Sequence, residues 1–585
     1  MLYKELAGLY ESLESTPKRL EKTRLIADFL RQTSADDLEQ VILLLQGRVF
    51  PLWDKRVLGL SEKLVVKAIS TSSGASERRV VDEWRELGDI GKVAEKLVAG
   101  KTQATLTAED LSVARVFDNL RKVAASEGKG AQDLKVKLVA QLLSSARGVE
   151  ARYVVRSVIG DLRVGVAEGT LRDSLVWAFL VDRSPDEALE GEARETYDDA
   201  LAAVQAALDR SNDFGKVAKI AKEKGLDGLK RVSIEPGKPL KVMLAQKADG
   251  FDEAFEKVGT PCAIEYKYDG FRLQVHGLED GSVRLFTRRL EEVTAQFPDV
   301  VRAVRKHVKG GEFILDAEAV GYDPSSGSYR PFQEVSQRIR RKYDIATLEK
   351  KLPVEVAVFD VLYHDGSEYL EKPLRDRWSF LKSIVDEKSR SLVLARHESV
   401  EKSQVAERFY KESLDAGNEG VMVKNLDGVY RPGSRVGTML KLKPSLDTFD
   451  LAIVGAEWGT GKRSGWLTSF TVACWDDHDE ELVTVGRFGT GIKEKADAAE
   501  DGITFQEVTD RLKPLITSTE GREVSVRPEV VVEVRFEEIQ KSPSYSSGFA
   551  LRFPRFVQLR DDRGLDDMTT LSMVEAAYRK QRGGR

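Results

Sequence analysis

Apolar residues recur every three to four positions through roughly the first 220 residues, and alternate with polar ones through much of the rest. In "DLKVKLVAQLL", Leu134, Leu138 and Leu142 stand four apart, and in "TLRDSLVWAF" Leu171, Leu175, Ala178 and Phe179 keep the same step. A helical turn of about 3.6 residues puts such positions on one face, so both stretches predict amphipathic helices. Thr170 with Asp173 resembles a capping box opening the second of them. "SIEPGKPLKVML", with Pro236, Gly237 and Pro239, breaks the pattern and predicts a linker. Beyond it come "CAIEYKYDG", "GFRLQVHG", "SVRLFTRR", "FILDAEAV", "VEVAVFDVLY", "EGVMVKN" and "TMLKLKP", short alternating runs that predict strands with helices between them. "LEDGSV" at 278–283 reads as a hairpin turn.

After Pro444 a third region carries "FDLAIVGAEW", "LTSFTVACWD", "ELVTVGRFG" and "EVVVEVRFEEI", which read as strands bounded by Gly-rich loops and suit a small closed barrel. The basic tail "MVEAAYRKQRGGR" is expected to fray. The predicted architecture is therefore multidomain: an all-α domain at 1–225, an α+β domain with antiparallel sheets at 226–445, and a β-barrel domain at 446–585.

Composition changes this picture little. A chain of 585 residues is too long for one core. Its net charge of −5 argues neither for nor against nucleic acid, because a basic groove can hide inside a balanced total. Cys262 and Cys474 are the two cysteines, too few for a Cys-x-x-Cys zinc site or a disulfide framework. The charged N-terminus is no signal peptide, and no apolar run reaches spanning length, so a soluble cytoplasmic protein is expected.

The middle strands carry the candidate chemistry. Side chains alternate along a strand, so Glu265 and Lys267 share a face, as do Asp316 and Glu318. Lys441 and Lys443 do the same. With Arg272, Arg288, Arg435 and Glu419, these make a cationic pocket with a carboxylate edge if their faces converge. Such a pocket suits a polyphosphate with a divalent metal, and a lysine among cations is easily neutralised and becomes a nucleophile. Any one of these charges alone reads as a solvated strand face. No G-x-x-x-x-G-K-S/T loop is present, which disfavours a Walker-type NTPase.

Taken together, "KYDGFR" resembles the K-x-D-G-x-R signature of covalent nucleotidyltransferases, a group that includes DNA ligases, RNA ligases and mRNA capping enzymes. "FTRR", "LDAEAV", "VFDVLY", "EGVMVK" and "LKLKP" follow in that group's order, and "ALRFPRFVQLRDD" at 550–562 is similar to the C-terminal motif of ATP-dependent DNA ligases. "SVIGDLRVGVAEGTL" at 157–171 and "KSPSYSSGFALRFPR" at 541–555 look like the replicative ligases of archaea and eukaryotes, the archaeal ones most of all. Two departures are Arg289, where eukaryotic members have asparagine, and Ala317, where glycine is frequent.

The resemblance implies nick sealing in DNA replication, repair and recombination through a lysyl-AMP and a DNA-adenylate, with ATP as cosubstrate and Mg²⁺. It implies that Lys267 is adenylated, that Glu265 lies at the adenine and Phe359 stacks on it, and that Arg272 and Arg288 meet ribose, phosphates or the nick. Glu318 would hold the ribose and, with Glu419, the metal. Arg435, Lys441 and Lys443 would grip the α-phosphate and leaving group, and Arg552 and Arg555, in an oligonucleotide-binding (OB) fold, the pyrophosphate. That barrel would swing between steps about a hinge at 443–449. The helical domain would clamp nicked duplex DNA, with Arg156 and Arg163 as candidate contacts and the helix N-terminus at Thr170 as a phosphate site. The implied protein is a nucleoid-associated monomer. The family commonly binds a sliding clamp, although "QVILLLQGRVF" at 40–50 reads as helix core rather than a clamp peptide. The rival readings are an RNA ligase or capping-type enzyme and a non-catalytic DNA-end-binding protein; the NAD-dependent ligases, with their four-cysteine zinc module, are disfavoured.

Overall fold

The computed structural model describes residues 1–581 apart from 52, 55, 101–109, 182–189, 340, 342, 445–447, 461–462 and 495–502, and leaves out the side chains of 333 and 566. The chain forms two compact units, Met1–Leu442 and Lys443–Arg585. No helix among the described residues is long and apolar enough to cross a membrane.

The first unit opens with a helical region that shares one apolar core from Tyr3 to Val232. The helix Ala131–Ser145 buries Val136, Val139, Ala140, Leu142 and Leu143, whereas Leu134 is half exposed; the apolar face sits about two positions from where the four-residue step puts it. The next predicted helix runs Glu168–Phe179 with Ala167 at its N-cap, so Thr170 lies inside its first turn, buried, and is no cap. Asp173 instead bonds Arg19 and Arg172. Val41 to Leu45 are all buried in the helix Ala35–Leu45, which makes that stretch core. The last helix of this region, Phe214–Lys230, is kinked at Gly225, whose φ of 57° is in glycine's left-handed range.

The rest of the unit carries strands β1 (Leu244–Lys247), β2 (Cys262–Lys267), β3 (Phe271–Gly277), β4 (Val283–Thr287), β5 (Phe313–Gly321), β6 (Val354–His364), β7 (Ser367–Glu368), β8 (Leu392–Leu394), β9 (His397–Val400), β10 (Gly420–Asn425) and β11 (Arg435–Leu442). They make two sheets, one ordered β1-β11-β10-β2-β9 and the other β4-β3-β5-β6-β7 with β8 beside β6. The pairs β1–β11 and β6–β8 are parallel; the central pairs are antiparallel. β2, β5 and β6 are buried along most of their length despite the charges they carry, as strands covered on both faces are.

In the second unit β12 (Phe449–Trp458), β13 (Leu467–Asp476), β14 (Glu481–Phe488), β15 (Ile516–Glu520), β16 (Glu523–Val526), β17 (Val531–Arg535), β18 (Glu538–Lys541), β19 (Phe549–Arg552) and β20 (Arg555–Leu559) surround one core. A seven-strand sheet runs β14-β13-β12-β16-β15, with β17 joining β12 to β20, and β18 pairs with β19 apart from it. Among the described residues this sheet does not close, which corrects the expectation of a closed barrel. The ten-residue β12 shares one edge between β16 and β17, so the sheet forks there instead of returning on itself. The tail also departs from expectation: Leu571–Gln581 is a helix anchored by buried Val574 and Tyr578 and by two Gln581–Ile539 hydrogen bonds, and only 582–585 lie outside the described residues.

The predicted linker is a strap fastened to β3. Gln274 accepts from the Leu240 amide at 3.1 Å and donates to the Leu240 carbonyl at 2.7 Å, while His276 Nδ1 accepts from the Gly237 amide at 3.0 Å. Gln274 is 1 % exposed and His276 fully buried. Burial, helped by nearby Arg284, holds the His276 imidazole down at about 3. The folded state then stays neutral there while the unfolded chain takes a proton below the ordinary histidine value. Stability is therefore whole above about pH 6.5 and falls by at most about 1.4 kcal/mol per unit as pH drops toward 3. His276→Asn keeps an acceptor for Gly237; urea midpoints between pH 6.5 and 4.5 should fall less steeply in this variant than in the wild type.

Candidate active site

β2 ends on Lys267, and its neighbour β10 begins beside it, so the register places Gly420 opposite Lys267 and Met422 opposite Glu265. Glu419, just before β10, donates its amide to the Lys267 carbonyl at 2.8 Å and brings its carboxylate 2.6 Å from Lys267 Nζ. The amine's immediate partner is thus an anion, where the sequence pattern led us to expect cations. The tight turn after Lys267 requires glycine: a Cβ on Gly270 would lie 2.4 Å from the Ala319 carbonyl oxygen and 2.9 Å from Glu318 Cγ. That close approach lays Phe271 and Arg272 against β5, with Arg272 opposite Glu318.

Glu265, 3 % exposed, is held through Oε1 by Lys424 Nζ at 2.6 Å. Its Oε2 is buried with no hydrogen-bond partner. Burial pushes this carboxyl up and Lys424 offsets part of the push. The Lys424 ammonium and the Arg272 guanidinium both stand over the Phe359 ring, 5.0 and 5.3 Å from its centre. The ring is fixed from behind. Trp378 Nε1 donates to the Phe359 carbonyl at 3.1 Å, and the neighbouring Asp360 is locked by buried Arg377 through two bonds of 2.7 and 3.0 Å.

Arg272 is spent largely on the protein. It grips fully buried Asp316 with two donors, gives a third to the Met243 carbonyl at 2.7 Å and meets the Tyr430 hydroxyl at 3.1 Å. Tyr430 in turn donates to Asp316 at 2.7 Å. Burial alone would pull the guanidinium down, but Asp316 and Tyr430 hold it above its ordinary value. Glu318 lies between Arg272 and Lys267. Burial pushes its carboxyl up to about 8 against the pull of Lys267 and Arg272, and Glu419 and Asp316 add to the push. The two carboxylates flanking Lys267 are hard oxygen donors, and an anion made costly by burial is relieved by a divalent cation, so Glu318 and Glu419 fit Mg²⁺. No cluster of three or more ligating side chains exists among the described residues.

The remaining candidates spread out. Lys441 is half-buried on β11, opposite Met422. Arg288 and Arg435 are exposed at strand ends. Lys443 does not share the β11 face, because that strand stops at Leu442; it belongs to the second unit and pairs with Glu537 there at 3.3 Å. Arg552 pairs with its cross-strand neighbour Glu538 at 2.8 Å, and Arg555 is exposed at the start of β20. Arg156 is a correction: it is 1 % exposed and bonded to Glu14 and Asp89, so no donor faces outward to DNA. Arg163 is about half exposed, tied to Asp161 at 2.7 Å. Sequence reasoning placed Asp316 on the carboxylate edge of the pocket, gave Lys424 no role and missed Tyr430, Arg377 and Trp378. A charge inside an apolar strand was the available signal for Lys424; Tyr430 sits in a loop and Arg377 and Trp378 on an ordinary helix, with no pattern to mark them.

The two-sheet region that ends β2 on Lys267 is nucleotidyltransferase-like in fold. Three family models match the chain: "DNA ligase N terminus" over residues 2–176, "ATP dependent DNA ligase domain" over 242–443 and "ATP dependent DNA ligase C terminal region" over 463–563. The DNA ligase of Nanoarchaeum equitans is 46 % identical over 584 residues, covering 100 % of this chain and 99 % of that one. The DNA ligase of Thermococcus onnurineus is 42 % identical over 582 residues, 99 % of this chain and 98 % of that. The solved structure Pmar-Lig_PreS3 shares the fold at a TM-score of 0.55 and 18 % identity, covering 95 % of this chain and 99 % of that one. The chain belongs to the ATP-dependent DNA ligase family, and its activity is the sealing of nicks in duplex DNA.

Asp316 carries a prediction of its own. Removing one partner of a buried pair strands the other charge, so Asp316→Ala should destabilise the first unit by about 3–5 kcal/mol in chemical denaturation. Tyr430→Phe, which removes the hydroxyl's bonds to Asp316, Arg272 and the Met243 amide but leaves the ion pair, should cost less, about 1–3 kcal/mol.

Proposed function

We propose that Lys267 is the nucleophile of the first step and that the surrounding side chains hold ATP for it. The amine attacks the α-phosphorus in line, an N–P bond forms, and the bond to pyrophosphate breaks as the amine gives up a proton. The AMP passes to the 5′-phosphate of a nick, and the 3′-hydroxyl then displaces it. Positioning and electrostatics supply most of the acceleration in such transfers. The single observation that carries this reading is Glu265 Oε2: a buried acceptor without a donor among the described residues, on the strand that ends at Lys267, its partner oxygen held by the Lys424 ammonium that faces the Phe359 ring. The exocyclic amine of adenine is a donor of the right kind, and Phe359 is the surface on which the base would stack.

Glu318 and Glu419 would hold Mg²⁺, which neutralises phosphate charge when bound. Before ATP is used, the Lys267–Glu419 pair has to open. Arg288, Arg435 and Lys441 would meet phosphates, and Arg272 serves chiefly to brace the site. Arg552, Arg555 and Lys443 in the second unit would serve the pyrophosphate side, within an OB-type domain at 446–585 whose movement hinges near 443–449; residues 445–447 of that hinge lie outside the described residues. The helical domain, 1–225, would hold the nicked duplex through its phosphates, and the adenylation domain spans 226–445. An RNA-joining or capping activity is less well supported, since the helical region matches the DNA ligase N terminus.

Lys267→Ala should abolish transfer of label from α-labelled ATP to the protein yet still seal a nick supplied already adenylated, because the last step does not involve the amine. Sealing of unmodified nicks by this variant would overturn the assignment. Glu265→Ala should raise KM for ATP and narrow the preference for ATP over GTP by about tenfold or more, as loss of a buried polar contact to a base does. An unchanged preference would remove Glu265 from the adenine.

A further inference from the structure

Five lysine and arginine side chains are buried among the described residues: Lys22, Arg156, Arg338, Arg377 and Lys424. Four of them have a buried or half-buried carboxylate within 2.7 Å, on Asp89, Asp299, Asp360 and Glu265. Lys22, 8 % exposed, has none within ion-pair distance among the described residues. Its ammonium is met only by carbonyl oxygens, that of Val164 at 2.5 Å and that of Gly165 at 3.4 Å. It also sits in the first turn of the helix Arg19–Gln32, where the helix dipole repels a cation. A buried charge with no counter-charge at the wrong end of a helix is costly for the fold, so its use is sought elsewhere.

Its target is the loop between the helices Val149–Ile159 and Glu168–Phe179. Arg156 Nη1 reaches the Leu162 carbonyl at 3.4 Å, so buried cations draw in the carbonyls of Leu162, Val164 and Gly165 from beneath. Arg163 and Gly165 take left-handed backbone, with φ of 59° and 62°. A Cβ on Gly165 would come within 2.6 Å of Lys22 Nζ and would displace that ammonium, and the φ of 62° itself favours glycine there. Pulling the carbonyls in leaves the amides for the outside. No backbone N–H from Leu162 to Thr170 donates to a backbone acceptor among the described residues, apart from the helix's own ladder. Exposed Arg163, Gly165 and Ala167 alternate along the outer face.

We propose that Lys22 is a positioning residue for DNA: from inside the helical region it holds the 162–167 loop so that its peptide N–H groups meet the phosphates of the duplex. This rests on the reading that the helical region holds the nicked substrate. It also explains why a charge that burdens the fold is placed there, since a loop held by internal carbonyl bonds loses little entropy when a phosphate arrives.

The test uses the full chain and a nicked duplex. Lys22→Met should raise KM for the nick by about tenfold, the effect of one charged hydrogen bond, with kcat and DNA-free formation of the protein–AMP adduct unchanged. Lys22→Gln keeps one donor for Val164 and removes the buried charge. It should melt at or above the wild-type temperature and still raise KM, though less than Lys22→Met. A gain in stability with a loss of substrate affinity cannot come from a merely structural role. Arg163→Ala is the reference for the loop surface. If Arg163→Ala raises KM and both Lys22 variants match the wild type, the Lys22 inference fails and the DNA reading of the loop stands. If all three match the wild type, the loop does not meet DNA and both fail. Parallel losses of melting temperature and adduct formation in Lys22→Gln would overturn the proposal in favour of a structural role.

Discussion

Glu265 is buried on β2 with the Lys424 ammonium against one of its oxygens, and much of the site is arranged around that pair. Lys424 is delivered by β10, the strand that also sets Glu419 beside Lys267. With Oε1 held by Lys424, the second oxygen of Glu265 is left buried and unsatisfied. Lys424 also faces the Phe359 ring, so one ammonium orients an acceptor and borders an aromatic surface at once. The same rule recurs on the second sheet, where Asp316, Arg272 and Tyr430 neutralise and satisfy one another, and again at Asp360 and Arg377. Buried charges that are paired and hydrogen-bonded hold their neighbours in one geometry, which in-line transfer at phosphorus needs.

Lys267 and Glu318 stand at the edge of this order. Each lies among charges that do not fully satisfy it: Lys267 has only a half-buried carboxylate at 2.6 Å, and Glu318 is held near 8 by burial despite two cations. Groups left in such a state are the ones a charged substrate and its metal would relieve. Lys22 shows a similar economy in the helical region, where a buried ammonium with no carboxylate beside it among the described residues holds the carbonyls of a surface loop.

Much of this was legible in the sequence. The strand runs from "CAIEYKYDG" to "TMLKLKP" fold as β2 to β6, β10 and β11, because alternation and β-branched composition decide a strand locally. Lys267, Glu265 and Asp269-Gly270 could be singled out as a lysine in an apolar strand before a tight turn. What escaped were the partners. Tyr430 and Met243 reach Arg272 across 158 and 29 positions of chain, and no local pattern reports such a contact. Arg156 misled for the same reason: its carboxylates, Glu14 and Asp89, come from two other helices, so a buried strut read as a surface cation. The closed barrel failed because strand count and spacing do not specify which edge each strand takes, and β12 gives one edge to two partners.

The central claim is that the amine of Lys267, and no other group, receives AMP. It is tested most directly by incubating the protein with ATP and Mg²⁺ without DNA, digesting it, and locating the added AMP by mass spectrometry. The account predicts one modified peptide, bearing the adduct on Lys267 as an acid-labile phosphoramidate. An adduct on any other residue, or no covalent AMP while nicks are still sealed, would contradict it.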